Sequence, residues 1–347
     1  MSLVGLAVLA GNPGAQDNVL PDTLRIRAQE RGVMMGAAVA AQPLKNDAIY
    51  AQTLAREYNM VVAENAMKFG PLRPSRDGFN FGDADAIADF AGAHGMKLRG
   101  HTLLWHNQNP QWLIDGGFSQ AEISAILKEH IRTVVGRYRG RVYAWDVVNE
   151  AIDDNTKQLR ETFWLKALGA DYIAQAFLWA READPQVRLF YNDYVGAALG
   201  PKSDAIYNLV RMLKVRRIPI DGVGLQSHLA LDQPSPTRDV AANMRRLAAL
   251  GLEIHVTELD VRLSMPPTER KLQKQAEAYR NIFHTCLSVS NCKAFVTRGF
   301  TDKYSWIPRR FPGMGAALPL DESYRPKPAY SALLDELATT GDSRSKR

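Results

Sequence analysis

Short apolar runs alternate with segments of helical spacing along most of the chain. Seven of the ten residues in 142–151 are apolar or aromatic, and this run leads directly into Asn149 and Glu150. Near-continuous β-branched and aromatic residues are typical of parallel strands that are covered on both faces. The pattern therefore predicts a buried strand that places a carboxylic acid at its carboxyl end. The structural alternative for Glu150 is a residue that only opens the next helix, where a carboxylate complements the helix dipole.

Seven other apolar runs have the same character, and helical patterns separate them. We predict strands at 33–40, 60–63, 97–104, 142–148, 187–191, 222–225, 252–257 and 294–300. We predict helices at 23–31, 47–58, 83–94, 119–138, 163–183, 202–215, 237–250, 268–287 and 329–337, with Ser119 and Glu122 as a capping box.

Eight successive strand and helix pairs favour a single (β/α)8 TIM barrel of the α/β class, because right-handed crossovers add parallel strands until the sheet closes. An open doubly wound sheet is the alternative, but it would normally collect its ligand groups at one switch point. Here seven of the eight strands end in polar or aromatic groups. We therefore expect an N-terminal arm or signal remnant at 1–22, a (β/α)8 domain at 23–340 and a basic tail at 341–347.

Composition and charge limit the possible partners. The 347 residues are 46% hydrophobic with a formal net charge of +6, and no apolar run approaches the roughly 20 residues of a membrane span. The basic clusters at 211–217, 270–274 and 344–347 lie in helical or tail segments, where they are more typical of solvated faces than of a nucleic-acid site. We predict a monomer that binds neither nucleic acid nor membranes.

No cofactor or metal motif is present in the sequence. There is no H-E-x-x-H, no G-x-S-x-G and no G-x-G-x-x-G after the first strand. The two cysteines, Cys286 and Cys292, are close enough to close a small loop, and a disulfide there would imply an oxidising compartment. The apolar N-terminus resembles a secretory signal without its positively charged start. We expect a secreted or periplasmic protein, with a cytoplasmic location as the alternative.

A second strand also delivers a carboxylate. The run 252–257 leads into Glu258, so Glu150 and Glu258 end the fourth and seventh predicted strands and would face each other across the mouth of a barrel. Paired carboxylates suit glycoside hydrolysis, in which one protonates the departing oxygen and the other attacks the sugar or activates water.

The remaining side chains of the predicted rim suit a neutral polyhydroxy ligand. Aromatic rings would contact the flat faces of sugars, and amide, imidazole or ammonium groups would bind hydroxyls. Any one of them could instead belong to the core. The aromatic candidates are Trp105, Trp112, Tyr194, Tyr304 and Trp306, and the polar candidates are Asn65, Lys68, His101, Gln108, Asn149, Asn192, Gln226 and His228.

Six motifs in order resemble glycoside hydrolase family 10, the endo-β-1,4-xylanases. The resemblance extends from about residue 36 to residue 330. The motifs are E-N-A-M-K at 64–68, G-H-T-L-L-W-H at 100–106, W-D-V-V-N-E-A at 145–151, G-L-Q-S-H at 224–228, T-E-L-D at 257–260 and T-D-K-Y-S-W at 301–306.

The resemblance implies a retaining mechanism with defined roles. Glu150 would be the acid/base and Glu258 the nucleophile, Asn149 would bind the 2-hydroxyl, and His228, tied to Asp260, would orient Glu258. Tyr194 would reach toward the leaving group, and Cys286 and Cys292 occupy positions where many members carry a disulfide. The implied glycone-binding residues are Glu64, Asn65, Lys68, His101, Trp105, Gln108 and Trp306.

Two positions depart from the family pattern. Phe69 replaces a tryptophan, which keeps an aromatic ring. Arg298 stands where the family normally has the tryptophan that forms a platform beneath the sugar being cleaved. Arg298 is therefore expected to lie close to both carboxylates and to change substrate range and rate. A broader β-1,4-glycanase or aryl-glycosidase activity, or a non-catalytic xylan-binding protein, is the alternative function.

Overall fold

The structure is a computed structural model that describes residues 22–233 and 236–339. All but one residue of the predicted N-terminal arm, and the whole predicted basic tail at 341–347, lie outside the described residues. The strands are β1 Met34–Val39, β2 Met60–Ala63, β3 Lys97–Leu104, β4 Val142–Asn149, β5 Arg188–Asp193, β6 Gly222–Leu225, β7 His228–Ala230, β8 Glu253–Ser264, β9 Cys292–Thr297 and β10 Met314–Gly315.

Helices connect these strands. They are α1 Leu24–Arg31, α2 Ala41–Asn46, α3 Ala48–Glu57, α4 Phe69–Leu72, α5 Gly82–Ala93, α6 Gln111–Ile114, α7 Gln120–Arg137, α8 Phe163–Leu168, α9 Tyr172–Ala183, α10 Pro201–Val215, α11 Thr237–Ala248, α12 Glu269–Leu287, α13 Ile307–Arg310 and α14 Pro328–Thr339. A 3₁₀ turn covers Asp302–Tyr304.

Eight of the strands close into a parallel barrel. The sheet runs β1-β2-β3-β4-β5-β6-β8-β9, and β9 pairs in parallel with β1 to complete the circle. The short strands β7 and β10 are additions that pair with the long strand β8. The predicted (β/α)8 barrel is thus confirmed.

Each barrel strand is buried on two faces. Met60 and Val62 of β2 belong to a small cluster with Ala38, whereas Val61 between them joins the large core beneath the helices. This alternation follows from the two-residue period of a strand, with one set of side chains inside the barrel and the other outside it. The interior also holds a buried Arg99–Asp146 ion pair, with His255 Nδ1 2.7 Å from the guanidinium.

The helix ends show how local sequence sets the boundaries. Ser119 and Glu122 form the predicted capping box at the start of α7. The predicted helix at 163–183 is wrong as one element, because Gly169 (φ 70°) separates α8 from α9. The short helices α2, α4, α6 and α13 were not predicted.

Two strands show the largest departures from their predicted ends. Strand β8 continues through Glu258 to Ser264, and β9 ends at Thr297, three residues earlier than expected. Glu258 therefore lies within a strand, and Arg298 is the first residue beyond one.

Cys286 at the end of α12 and Cys292 at the start of β9 form a disulfide, with 5.3 Å between their Cα atoms. Of the helices in the described ranges, none is long and apolar enough to cross a membrane.

Candidate active site

A cleft of about 450 Å3 opens at the carboxyl ends of the barrel strands. Ligand sites of (β/α)8 barrels lie at this face, because the loops that follow the parallel strands meet there. Eleven of the predicted site residues line the cleft. They are Lys68, His101, Trp105, Asn149, Glu150, Tyr194, Gln226, His228, Glu258, Arg298 and Trp306.

Glu150 follows β4 with a positive φ of 58° and only 9% of its surface exposed. Such a backbone conformation is uncommon for a residue other than glycine, and it is often kept at functional sites. The Oε1 atom accepts hydrogen bonds from Asn149 (3.0 Å) and Gln226 (2.9 Å), and Oε2 accepts one from the indole N–H of Trp105 (2.8 Å). These donors fix the carboxyl group at the cleft surface.

Glu258, from β8, is 6% exposed and is held by cations. Its Oε2 atom lies 3.0 Å from Nη1 of Arg298 and 3.5 Å from Nε2 of His228. Burial alone would raise the pKa of Glu258, but the charge of Arg298 and the hydrogen bond from His228 outweigh burial and hold the pKa well below its ordinary value. Glu258 is therefore a permanent carboxylate at neutral pH.

His228 is oriented by Asp260. Its Nδ1 atom is 2.9 Å from Asp260 Oδ2, which also accepts a hydrogen bond of 2.8 Å from the indole of Trp306. Burial lowers the pKa of His228, but Asp260 and Glu258 together raise it to about 9. The imidazole is thus a cation between two carboxylates.

Amide side chains join the two carboxylates. Asn192 of β5 donates through Nδ2 to both Glu258 Oε1 and Asn149 Oδ1, each at 2.9 Å, and Asn149 in turn donates to Glu150. The side-chain oxygen Oδ1 of Asn192 accepts a hydrogen bond of 2.7 Å from the Thr257 hydroxyl group, and this bond fixes which end of the amide faces the carboxylates. This chain of hydrogen bonds connects Glu150 to Glu258.

Lys68, Trp105 and His101 also line the cleft, as predicted. Lys68 Nζ lies 4.6 Å from the centre of the Trp105 ring and donates to Asn65 at 2.9 Å. Burial and the nearby charge of Arg298 lower the pKa of Lys68 to about 7. His101 bonds through Nδ1 to the buried Asp146 at 3.0 Å. At slightly alkaline pH Lys68 therefore loses a proton, and with it one hydrogen-bond donor and its positive charge.

Tyr194 is held at the rim by a separate charged cluster. Its hydroxyl group contacts Asp154 and Arg160, and the Lys202 ammonium lies 3.6 Å from the ring centre. Lys202 is only 3% exposed and also pairs with Asp193 at 3.0 Å. The ring of Tyr194 is therefore fixed from behind while its free face borders the cleft.

Some predicted residues do not line the cleft. Glu64, Asn65 and Gln108 do not border this cavity, although Asn65 bonds to both Lys68 and Gln108. Trp112 and Tyr304, which were predicted at the rim, are not among the residues that line this cavity. Trp112 donates its indole N–H to the Arg73 carbonyl, and Tyr304 donates to Asp47.

Arg298 lies in the site as expected, and the contact it makes is with Glu258. Its side chain is 11% exposed. Its backbone N–H donates to the carbonyl oxygen of Leu259 at 3.0 Å, and Leu259 directly follows Glu258 in the chain. The expected aromatic platform is thus replaced by a buried ion pair.

The sequence analysis missed Arg262, Arg310 and Phe311, which also line the cleft. Arg262 lies two residues beyond Asp260 on β8, so strand alternation could have placed it on the same face. Arg310 and Phe311 lie at the end of α13, a helix that the apolar pattern did not predict. Across 22–233 and 236–339, no group of three His, Cys, Asp or Glu side chains is placed to hold a metal ion.

Nearly the whole chain is similar to proteins of one known family. The family model of glycosyl hydrolase family 10 matches residues 23–336. An endo-1,4-β-xylanase of Agaricus bisporus is 39% identical over 338 residues, which are 96% of this chain and 99% of that protein. Endo-1,4-β-xylanase B of Thermotoga neapolitana is 40% identical, with 89% of this chain and 90% of that protein covered.

Two similar solved structures are also xylanases. Native xylanase 10B from Thermotoga maritima superposes with a TM-score of 0.88 at 41% identity, covering 91% of this chain and 98% of that one. Xylanase 10B from Thermotoga petrophila, solved in complex with xylobiose, gives 0.89 at 40% identity and covers 94% and 99%.

Proposed function

The chain belongs to glycosyl hydrolase family 10, and we propose that it is an endo-acting hydrolase of the β-1,4-xylosidic bonds of xylan. Its relatives at about 40% identity are endo-1,4-β-xylanases, and one similar structure contains xylobiose. The observation that carries the proposal is the pair of buried carboxylates, Glu150 and Glu258, joined through Asn149 and Asn192 at the mouth of the barrel.

The first step forms a glycosyl-enzyme. A carboxylate oxygen of Glu258 attacks the anomeric carbon as the bond to the leaving oxygen breaks, and Glu150 gives its proton to that oxygen. The low pKa of Glu258 supports its role as nucleophile, because the group is ionised throughout the neutral range.

The second step releases the sugar. Glu150, now a carboxylate, takes a proton from water, and the hydroxide attacks the anomeric carbon while the ester bond to Glu258 breaks. The product keeps the configuration of the substrate, and both carboxyl groups return to their starting states.

The surrounding residues serve as positioning and binding groups. His228, Asp260 and Trp306 hold Glu258, and the amide of Asn149 is placed beside both carboxylates, where it can bind a sugar hydroxyl. Lys68, His101, Trp105, Gln226, Tyr194 and Arg298 form the sugar-binding surface, with Glu64, Asn65 and Gln108 extending it from beside Lys68. The enzyme needs no cofactor for this chemistry.

The disulfide between Cys286 and Cys292 supports a secreted or periplasmic location, since such bonds persist in oxidising compartments. We propose that the chain acts outside the cytoplasm, as one barrel domain and a monomer.

The test compares two polysaccharides. Reducing sugar should be released from xylan and not from carboxymethylcellulose, and the distribution of products should show cleavage within the chain. Glu150→Gln and Glu258→Gln should each lower kcat by at least about 1,000-fold, as expected for loss of a catalytic group. Glu161→Gln, at a glutamate whose side chain is 82% exposed, is the matched control. Equal activity on both polysaccharides would support the broader glycanase, and full activity of either site variant would refute the assignment.

A further inference from the structure

Two arginines and a phenylalanine form a cationic and aromatic surface inside the cleft. The guanidinium carbon of Arg262 lies 4.3 Å from the centre of the Phe311 ring, and that of Arg310 lies 5.1 Å from it. The Phe311 ring is in edge contact with Trp306 at 5.7 Å, and Trp306 contacts His228 at 5.2 Å. All five residues line the same cleft as the catalytic pair.

The charges on this surface are not balanced by the protein. In the described part of the chain, no carboxylate lies within ion-pair distance of Arg262 or Arg310, and the only hydrogen bond of the Arg262 guanidinium is a long one of 3.4 Å to the Leu229 carbonyl. Arg298, deeper in the cleft, differs because Glu258 neutralises it. Arg262 and Arg310 therefore present donors and positive charge to whatever enters the cleft.

The position of Arg262 extends this surface beyond the catalytic centre. A neighbouring groove of about 420 Å3 shares Val195, His228 and Arg262 with the cleft. A polysaccharide lying in the cleft can thus project a branch toward Arg262 without leaving the protein surface.

We propose that Arg262 and Arg310, with Phe311 between them, bind the carboxylate of a uronic acid branch on the polysaccharide. The proposal rests on the xylanase function. A guanidinium binds a carboxylate through two parallel N–H donors, and the aromatic ring offers a flat contact to the sugar that bears it. A neutral chain alone would leave both guanidinium groups without a negative partner.

The test uses three matched xylo-oligosaccharides. One carries no branch, one carries a single glucuronosyl branch, and one carries the same branch after its carboxyl group has been reduced to an alcohol. The measured quantity is the ratio of kcat/KM for the acidic and the reduced substrate, which isolates the carboxylate from the bulk of the branch. We expect a ratio of about 3 to 10 in the wild type, since the guanidinium groups are partly exposed.

Variants and salt separate recognition from folding. The double variant Arg262→Gln/Arg310→Gln should bring the ratio to about 1, and Arg262→Lys should keep part of the wild-type ratio. Arg309→Gln is the control and should leave the ratio unchanged, because Arg309 is exposed and does not line the cleft. Higher ionic strength should lower the wild-type ratio toward 1. Free glucuronate serves as the second probe, because weak inhibition by it that the double variant abolishes would support the site without the polysaccharide.

The outcomes are distinguishable. A wild-type ratio of 1, or a ratio that the double variant leaves unchanged, overturns the uronate site while activity on the unbranched substrate leaves the xylanase function standing. Lack of activity on all three substrates overturns both proposals.

Discussion

Replacing Arg298 should change the two halves of the reaction in opposite directions. The guanidinium is 3.0 Å from Glu258 in a buried setting, so it stabilises the ionised carboxylate. In the proposed mechanism, Glu258 loses that charge when it forms the bond to sugar and regains it when the bond breaks. Arg298 therefore opposes the first step and assists the second.

The magnitude follows from the Coulomb interaction. Unit charges about 4 Å apart interact by about 4 kcal/mol at an effective dielectric constant of about 20. If half of the carboxylate charge is neutralised in the transition state, about 2 kcal/mol of this attraction is lost during glycosylation, which corresponds to about 30-fold in rate. The cationic His228 remains beside Glu258 in the variant and keeps it ionised.

Two substitutions separate charge from shape. Arg298→Gln removes the charge and should raise kcat/KM on an aryl β-xylobioside by about 10- to 30-fold. Arg298→Trp also restores an aromatic contact worth about 0.5–1.5 kcal/mol, and should give a further gain on unsubstituted xylo-oligosaccharides. Arg298→Lys, which keeps the charge, is the control for the first effect.

The assay is a pre-steady-state measurement of phenol release. Because Arg298 opposes the first step and assists the second, we expect glycosylation to limit turnover in the wild type, which should then show no burst. Arg298→Gln should show a burst of about one equivalent per active site, because glycosylation becomes faster and deglycosylation slower. A fall in kcat/KM without any burst would refute the reasoning.

The dependence of activity on pH is a second test, because removing Arg298 should move the acidic limb in one direction only. In the proposed mechanism, activity requires ionised Glu258, so the acidic limb lies where that carboxylate becomes protonated. Removing Arg298 raises the pKa of Glu258, and the acidic limb should move to higher pH. Burial and then Arg298 lower the pKa of Lys68 to about 7, so the variant should also keep Lys68 charged to higher pH. Unchanged positions of both transitions would show that the ion pair does not form in solution.

Three further predictions test the site and its frame. Glu258→Ala should abolish turnover, and azide should restore bond cleavage with a glycosyl azide of inverted configuration, so a retained configuration would count against the nucleophile assignment. Gly224→Ala should lower kcat without changing the circular dichroism spectrum, because the added Cβ would lie 2.2 Å from the Asn192 side-chain oxygen. Gly92→Ala is the control and should leave kcat unchanged, because its added Cβ would meet no atom within 4 Å. Replacing Cys286 and Cys292 together by alanine should lower the free energy of unfolding by about 2 kcal/mol in denaturant titrations and leave kcat unchanged.

The barrel and the two glutamates at its mouth could be predicted because the apolar pattern of the strands is local. The run before Glu150 shows its burial in the sequence itself, and the eight repeats fix the closed sheet with little freedom. The ends of β8 and β9 were predicted less well than the presence of the strands. Strand β8 runs through Glu258 because β7 and β10 pair with its extension, and those partners are separated from it in sequence.

The partner of Arg298 could not be predicted, because it depends on the register between two strands. In the parallel pair β8 and β9, Leu259 is opposite Thr297. The next residue, Arg298, donates its backbone N–H to Leu259, and its side chain can then reach back to Glu258. A shift of one residue in this register would turn the guanidinium out of the cleft, because side chains alternate along a strand. Register is decided by contacts across the whole barrel. The family motif could give the position of the substitution, but only the structure gives the carboxylate whose charge it controls.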